Sequence, residues 1–220
     1  METITSRKNS RVQALRALGR NKAYRCEQGL FLCDGEKLLS EALANGADIA
    51  EIYLRGAKPA GNMPEVPVYS LSEDVFDYAS PLEHSPGPLF TVRAKPLPES
   101  VRPERVIVLE NVQDPGNVGT VLRTAAALGT ELVVLLGDCA DPYNPKTVRA
   151  AMGALFRQRL WETDLATLCA KLREWELPLC GAAGDQNPIS AVHVIEAAEG
   201  LDDPVPHAQP TVVKSTSCES

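Results

Sequence analysis

The sequence predicts an α/β protein built in two parts, and three observations carry that prediction. Short apolar runs of strand length alternate with longer stretches at helical spacing along most of the chain. The segment AKPLPESVRPE, residues 94–104, holds three prolines and few large apolar groups, which marks a linker. Beyond it strand and helix alternate one for one, the pattern of a parallel sheet covered on both faces.

The first part, residues 1–94, reads as a small α/β unit. Val12, Leu15, Arg16 and Leu18 recur at roughly helical spacing from Ser10. GLFLCDGEKLLSEALANGADIAEIYLRG then gives a strand, a helix closed by Asn45-Gly46, and a strand at 51–54. EVPVYSLSEDVFDYAS repeats strand then helix, with Ser72 as the expected N-cap, and GPLFTVRAKP adds one more strand. After the linker at 95–104, the second part spans 105–201. It opens with strand VIVLE (106–110), a helix over 117–128 and strand ELVVLL (131–136). A polar loop, the helix VRAAMGALF, a helix over 164–176, and strands LPLCGAA and AVHVI (191–195) follow. Residues 202–220 carry three prolines and little large apolar matter, so a disordered tail is expected there.

Composition bounds the function. Hydrophobic residues make up 44% and charged residues 23%, as in ordinary soluble proteins. No apolar run approaches the ~18–20 residues that span a bilayer, so no membrane role is expected. The polar, basic start METITSRKNSRVQALRALGR does not read as a secretory signal. Six scattered cysteines, without a CxxC pair or a histidine at ligand spacing, point to free thiols in a reducing cytoplasm and to no metal site. The net charge is −7, yet residues 1–25 hold seven Lys/Arg against one acid, whereas residues 160–220 hold three against ten. Arg7, Lys8 and Arg11 make that basic end either a contact for a phosphate backbone or a solvated helix face.

Parallel sheets bind ligands where strands end and loops enter helices. DPGNVGTVLRTAAALG (114–129) stands at such a place. It lacks both GxGxxG and the GK[ST] of a phosphate loop. Pro115-Gly116 forces a turn, and Asn117 is the expected N-cap. Val118, Val121, Leu122 and Ala125 form a buried stripe. Arg123 lies about 140° from Val118 at ~100° per residue, so it projects off that stripe as a cation suited to phosphate.

ENVQDPGNVGTVLRTAAALG resembles the first signature motif of the SpoU (TrmH-like) RNA ribose 2′-O-methyltransferases of the SPOUT superfamily. NPKTVRAAMGALFRQRL (144–160) is similar to the family's next segment. SRKNSRVQALRAL, GLFLCDGEKLLSEAL and HSPGPLFTVR resemble its ribosomal-protein-like substrate-binding domain, and the likeness covers residues 5–185. The resemblance implies methyl transfer from S-adenosyl-L-methionine to a ribose 2′-hydroxyl of rRNA, or less readily of tRNA, by a homodimer. It implies that Arg123 activates the hydroxyl together with an RNA phosphate and that Asn117 shapes the loop. Asn144, Lys146 and Arg149 then become RNA contacts, and the phosphate backbone met by Arg7, Lys8 and Arg11 becomes that of RNA. In the family a carboxy-terminal trefoil knot closes the cofactor pocket. Glu199, Gly200 and Leu201 echo its G-x-E-x-x-G turn, but TVVKSTSCES departs from its second motif. A frameshifted or truncated copy has this pattern, and it implies an incomplete knot, weak cofactor binding and loss of the dimer. Three functions stay open: the methyltransferase, a non-catalytic RNA-binding protein derived from it, and, with less support, a nucleotide-binding α/β protein without an RNA partner.

Overall fold

The computed structural model describes residues 2–56, 65–95, 102–182, 192–194 and 211–214. Residues 1–95 with 141–157 form one compact unit, and residues 96–140 with 158–220 form the other.

The first unit begins with β1 (Glu2–Ile4), α1 (Ser10–Arg20), α2 (Lys22–Gln28), β2 (Leu30–Asp34) and α3 (Glu36–Ala44). It continues through β3 (Ile49–Arg55), β4 (Val68–Leu71), α4 (Glu73–Ala79) and β5 (Leu89–Arg93). The five strands make one mixed sheet in the order β1-β4-β3-β5-β2. Strand alternation sends neighbouring residues to opposite faces. Leu32, Tyr53 and Leu89 meet Val12, Leu15 and Leu18 of α1 on one side, while Phe31, Ile52 and Phe90 meet Leu39 and Ala42 of α3 on the other. Asn9 starts α1 by accepting from Arg11 N at 2.9 Å.

One helix is not announced by the sequence, and one cap differs from the expectation. α2 is too short and polar to show a period, and its one buried residue is an arginine, Arg25. Ser72 does precede α4, but its hydroxyl donates to Asp74 Oδ1 at 2.7 Å instead of accepting a backbone N–H.

The second unit opens with β6 (Val106–Glu110), α5 (Pro115–Ala127) and β7 (Leu132–Leu136). The chain then contributes 141–157 to the first unit, as α6 (Pro145–Ala150) and a 3-10 turn, Ala154–Phe156. From sequence this stretch was expected to belong to the second part, with a helix over 148–156. Gly153 at φ +87° ends the helical run early. Val148 and Phe156 join the cluster around Phe31, whose ring stacks 4.9 Å from that of Tyr143.

β8 (Arg159–Thr163), α7 (Leu165–Glu174), β9 (Cys180–Ala182), β10 (Val192–Val194) and β11 (Thr211–Lys214) complete the second unit. Its sheet runs β10-β9-β11-β6-β7-β8, parallel throughout except for the β10–β9 pair. Val106, Val108, Leu132 and Val134 pack with Leu168, Leu172 and Trp175, and Trp161 meets Trp175 edge-on at 5.9 Å. The aromatic pair thus packs with the residues of β6, β7 and α7.

Within the tail, the described residues Thr211–Lys214 form a strand, β11. Thr211–Lys214 lies between β9 and β6, pairing in parallel with both. Two β-branched valines after a threonine suit a short inner strand, but four residues among prolines are too few to register in composition.

Candidate active site

β6 and β7 are neighbours in a parallel sheet, so the loops that leave their carboxyl ends lie side by side. The loop after β6 runs into α5 through Asp114, not Asn117. Asp114 is the N-cap, and its Oδ1 accepts from Asn117 N at 2.7 Å. The physical reason is Pro115: its fixed φ suits the first helical position, which makes the preceding aspartate the cap. Gly116 is sterically constrained as well, because a Cβ there would stand 3.0 Å from Asp114 Oδ1.

This arrangement releases the Asn117 side chain. Its backbone is already helical, and the side chain is exposed at the first turn. Val118, Gly119, Leu122 and Ala125 are buried against the sheet, whereas Thr120 and Arg123 are exposed. Asn117, Thr120 and Arg123 follow each other at three-residue steps, a spacing that keeps neighbours on one helix surface. The Thr120 hydroxyl is occupied by Gly116 O at 2.8 Å, so Asn117 and Arg123 are the groups this row offers to a ligand. Arg123 therefore projects off the buried stripe as the spacing predicted.

The loop after β7 is fastened to the first by residues that sequence reasoning missed. Asn111, at φ +55°, accepts from Asp138 N through its Oδ1 at 2.8 Å. Gly137 must be glycine here, since a Cβ would lie 2.4 Å from that same oxygen. Gln113 Nε2 donates to Asp138 Oδ2 at 3.0 Å, and Ala140 N to Val112 O at 2.8 Å. The available signal was an Asn and a Gly-Asp pair directly after adjacent strands.

The other expected site residues lie elsewhere. Asn144, Lys146 and Arg149 belong to the first unit, apart from the unit that holds Asn117 and Arg123. Asn144 caps α6 by accepting from Lys146 N at 2.9 Å, while Lys146 and Arg149 are exposed. The basic residues near the amino end are mostly engaged internally. Arg7 pairs with Asp74 at 3.5 Å, and Arg11 pairs with Glu51 while lying 4.3 Å from the Tyr69 ring centre. Glu51 thereby offsets the charge on Arg11 that sequence assigned to RNA. Lys8 remains exposed. Glu199, Gly200 and Leu201 lie outside the described residues. Among the described residues no cluster of side chains suits a metal ion, and no helix is long and apolar enough to cross a membrane.

Comparisons with known proteins identify the family. Residues 104–204 match the SpoU rRNA Methylase family, and residues 9–89 match the MRM3-like substrate binding domain. The chain is 32% identical over 185 residues to the 23S rRNA (guanosine(2553)-2'-O)-methyltransferase RlmP of Bacillus subtilis, covering 83% of this chain and 74% of that protein. It is 29% identical to mouse mitochondrial rRNA methyltransferase 3, covering 78% of this chain but only 45% of the longer relative. Among solved structures, the AdoMet-bound rRNA methyltransferase from Sinorhizobium meliloti superposes with a TM-score of 0.67 at 26% identity, over 80% of this chain and 68% of that one. On the strength of a family match across the second unit and a relative at this identity and coverage, the chain belongs to the SpoU rRNA methylase family.

Proposed function

We infer that the chain is an S-adenosylmethionine-dependent methyltransferase acting on a ribose 2′-hydroxyl of rRNA. The observation that carries this reading is the Asp114-capped turn after β6, which leaves Asn117 and Arg123 exposed at the carboxyl edge of a parallel sheet. The names of its relatives, a guanosine 2′-O-methyltransferase and an AdoMet-bound rRNA methyltransferase, point the same way.

The described part of that edge fits a polar adenosyl ligand in kind. The paired loops bring backbone groups together at Asn111–Val112 and Gly137–Asp138, with Gln113 and Asp138 as side-chain partners. When bound, the cofactor supplies an electrophilic methyl group on a sulfonium. The ribose hydroxyl is a poor acid, so the protein must orient its oxygen and assist loss of its proton. A guanidinium is a poor base, so Arg123 is not the group that takes the proton. Its role is to hold an RNA phosphate beside the hydroxyl, fixing the oxygen, and as a cation to stabilise the negative charge that develops on that oxygen as its proton passes to water. Asn117, six residues earlier on α5, orients the ribose. The first unit supplies the RNA-binding surface, with Lys8, Lys146 and Arg149 among its exposed cations. The homodimer implied by the resemblance belongs to the same reading.

The test is transfer of a labelled methyl group from S-adenosylmethionine to rRNA by the purified chain. Label found on a ribose 2′-oxygen supports the reading. RNA binding without cofactor binding or transfer would replace it with the non-catalytic RNA-binding function.

A further inference from the structure

Within the first unit, a groove of about 450 Å³ opens where β2 passes into α3. Its size suits a nucleoside-sized ligand. Asp34 stands in it, held by two hydroxyls: Ser80 Oγ donates to Oδ2 at 2.8 Å and Ser85 Oγ donates to Oδ1. A carboxylate has about four acceptor sites, so each oxygen keeps one for a ligand. Leu38, Pro86 and Met152 supply apolar walls, and Met152 is 55% exposed there. Lys37 and Arg149, both exposed, add two cations, on a lining that also carries the carboxylates of Glu36 and Glu41.

The geometry points to a pocket that takes a guanine base of the RNA, with the Asp34 carboxylate accepting hydrogen bonds from its ring N–H and its exocyclic amino group. This rests on the reading of the chain as an RNA-modifying enzyme. Sequence-specific RNA recognition uses unstacked bases read along their Watson–Crick edges. Guanine alone presents two adjacent donors on that edge. Adenine, cytosine and uracil each place an acceptor beside their donor, and that acceptor would face the carboxylate. The apolar walls cover the faces of the base, and Lys37 and Arg149 meet the flanking phosphates. All of the pocket's lining residues belong to the first unit, so its proposed role is to select the RNA.

Titration of the full chain with the four ribonucleoside 5′-monophosphates, followed by ligand-observed NMR, tests the proposal. Guanosine monophosphate should bind about tenfold more tightly than the other three, the discrimination expected of one good bidentate pair. Asp34→Asn should erase that preference, because the amide turns a donor toward a donor. Should that variant fail to fold, Met152→Glu tests the same pocket from an exposed position and should weaken guanosine monophosphate at least about tenfold. Equal affinity for all four nucleotides, a preference that survives in folded Asp34→Asn, or guanosine monophosphate affinity unchanged in Met152→Glu overturns the pocket. Methyl transfer measured on the same preparation separates the two readings. Transfer without guanine preference removes the pocket alone, whereas guanine preference without transfer upholds the pocket and counts against the enzyme.

Discussion

Arg25 and Asp141 form a buried ion pair across 116 residues of sequence, with side chains only 4% and 9% exposed. Arg25 donates to Asp141 Oδ2 from Nε at 2.9 Å and from Nη2, and to Leu18 O from Nη1 at 2.6 Å. Asp141 in turn accepts from Tyr143 N at its other oxygen, at 2.8 Å. The pair therefore joins α2 to the segment that carries α6. Removing one partner leaves a charge without compensation, so Asp141→Ala should cost about 3–5 kcal/mol. The double change Arg25→Met, Asp141→Leu should restore much of that loss, because apolar replacements of similar volume avoid the desolvation cost. Urea denaturation followed by circular dichroism measures both, and a loss below about 1 kcal/mol in the single variant would make the pair a surface-like contact.

Asp114 and Asn117 make a contrasting pair. Asp114 holds the first turn of α5, so Asp114→Ala should cost about 1 kcal/mol of stability and lower methyl transfer together. Asn117→Ala should leave stability within about 0.5 kcal/mol and affect transfer alone. Equal destabilisation by both changes would return the capping role to Asn117.

Arg123→Ala should abolish methyl transfer to rRNA with the fold intact. The side chain is exposed on α5, so no cavity forms and stability should change by no more than about 0.5 kcal/mol. Arg123→Lys keeps the charge but not the planar fork, so it should recover only part of the rate. Full turnover in the alanine variant would remove Arg123 from the reaction.

Much of this architecture is legible in the sequence because its elements are long and periodic. Strand VIVLE, the Val118–Leu122–Ala125 stripe of α5 and the outward direction of Arg123 all follow from spacing. What escapes sequence reasoning depends on contacts between distant residues. α2 buries only Arg25, whose partner lies in a loop far downstream, so no local pattern announces it. Segment 141–157 reads as a continuation of its neighbours until Tyr143, Val148 and Phe156 are seen to pack around Phe31. Sequence located the loop that carries Asn117 but assigned its cap wrongly, since Asp and Asn three residues apart both suit that position until Pro115 decides between them. The basic residues show the reverse problem, because charge counted along the chain ignores Glu51 and Asp74, which the fold brings to Arg11 and Arg7.

β11 offers a direct test of the chain beyond residue 201. It lies between β9 and β6, so its amides ladder to one neighbour or the other. Val213→Pro removes one donor from an inner strand and leaves an acceptor unmatched, a loss of about 1–3 kcal/mol. Thermal denaturation measures it, and an unchanged midpoint would mean that residues 211–214 do not hold the sheet together.

Asp34 gives a pH dependence whose sign is fixed by burial. Desolvation raises its carboxyl above the ordinary range, and the Ser85 and Ser80 hydroxyls and the charge of Arg149 offset this only in part. A group that holds its proton more tightly in the folded chain stabilises the fold when protonated. That contribution is fully present below the unfolded value of about 3.9 and is lost as pH rises through the higher folded value. Asp34→Asn carries no such proton, so the stability of the wild-type chain relative to this variant should fall across that acid window and level off above it. Urea midpoints of both proteins, taken through the window without nucleotide, give the difference directly. A relative stability that instead rises with pH would mean that the two serines and Arg149 outweigh burial, and that Asp34 is held chiefly as a paired carboxylate.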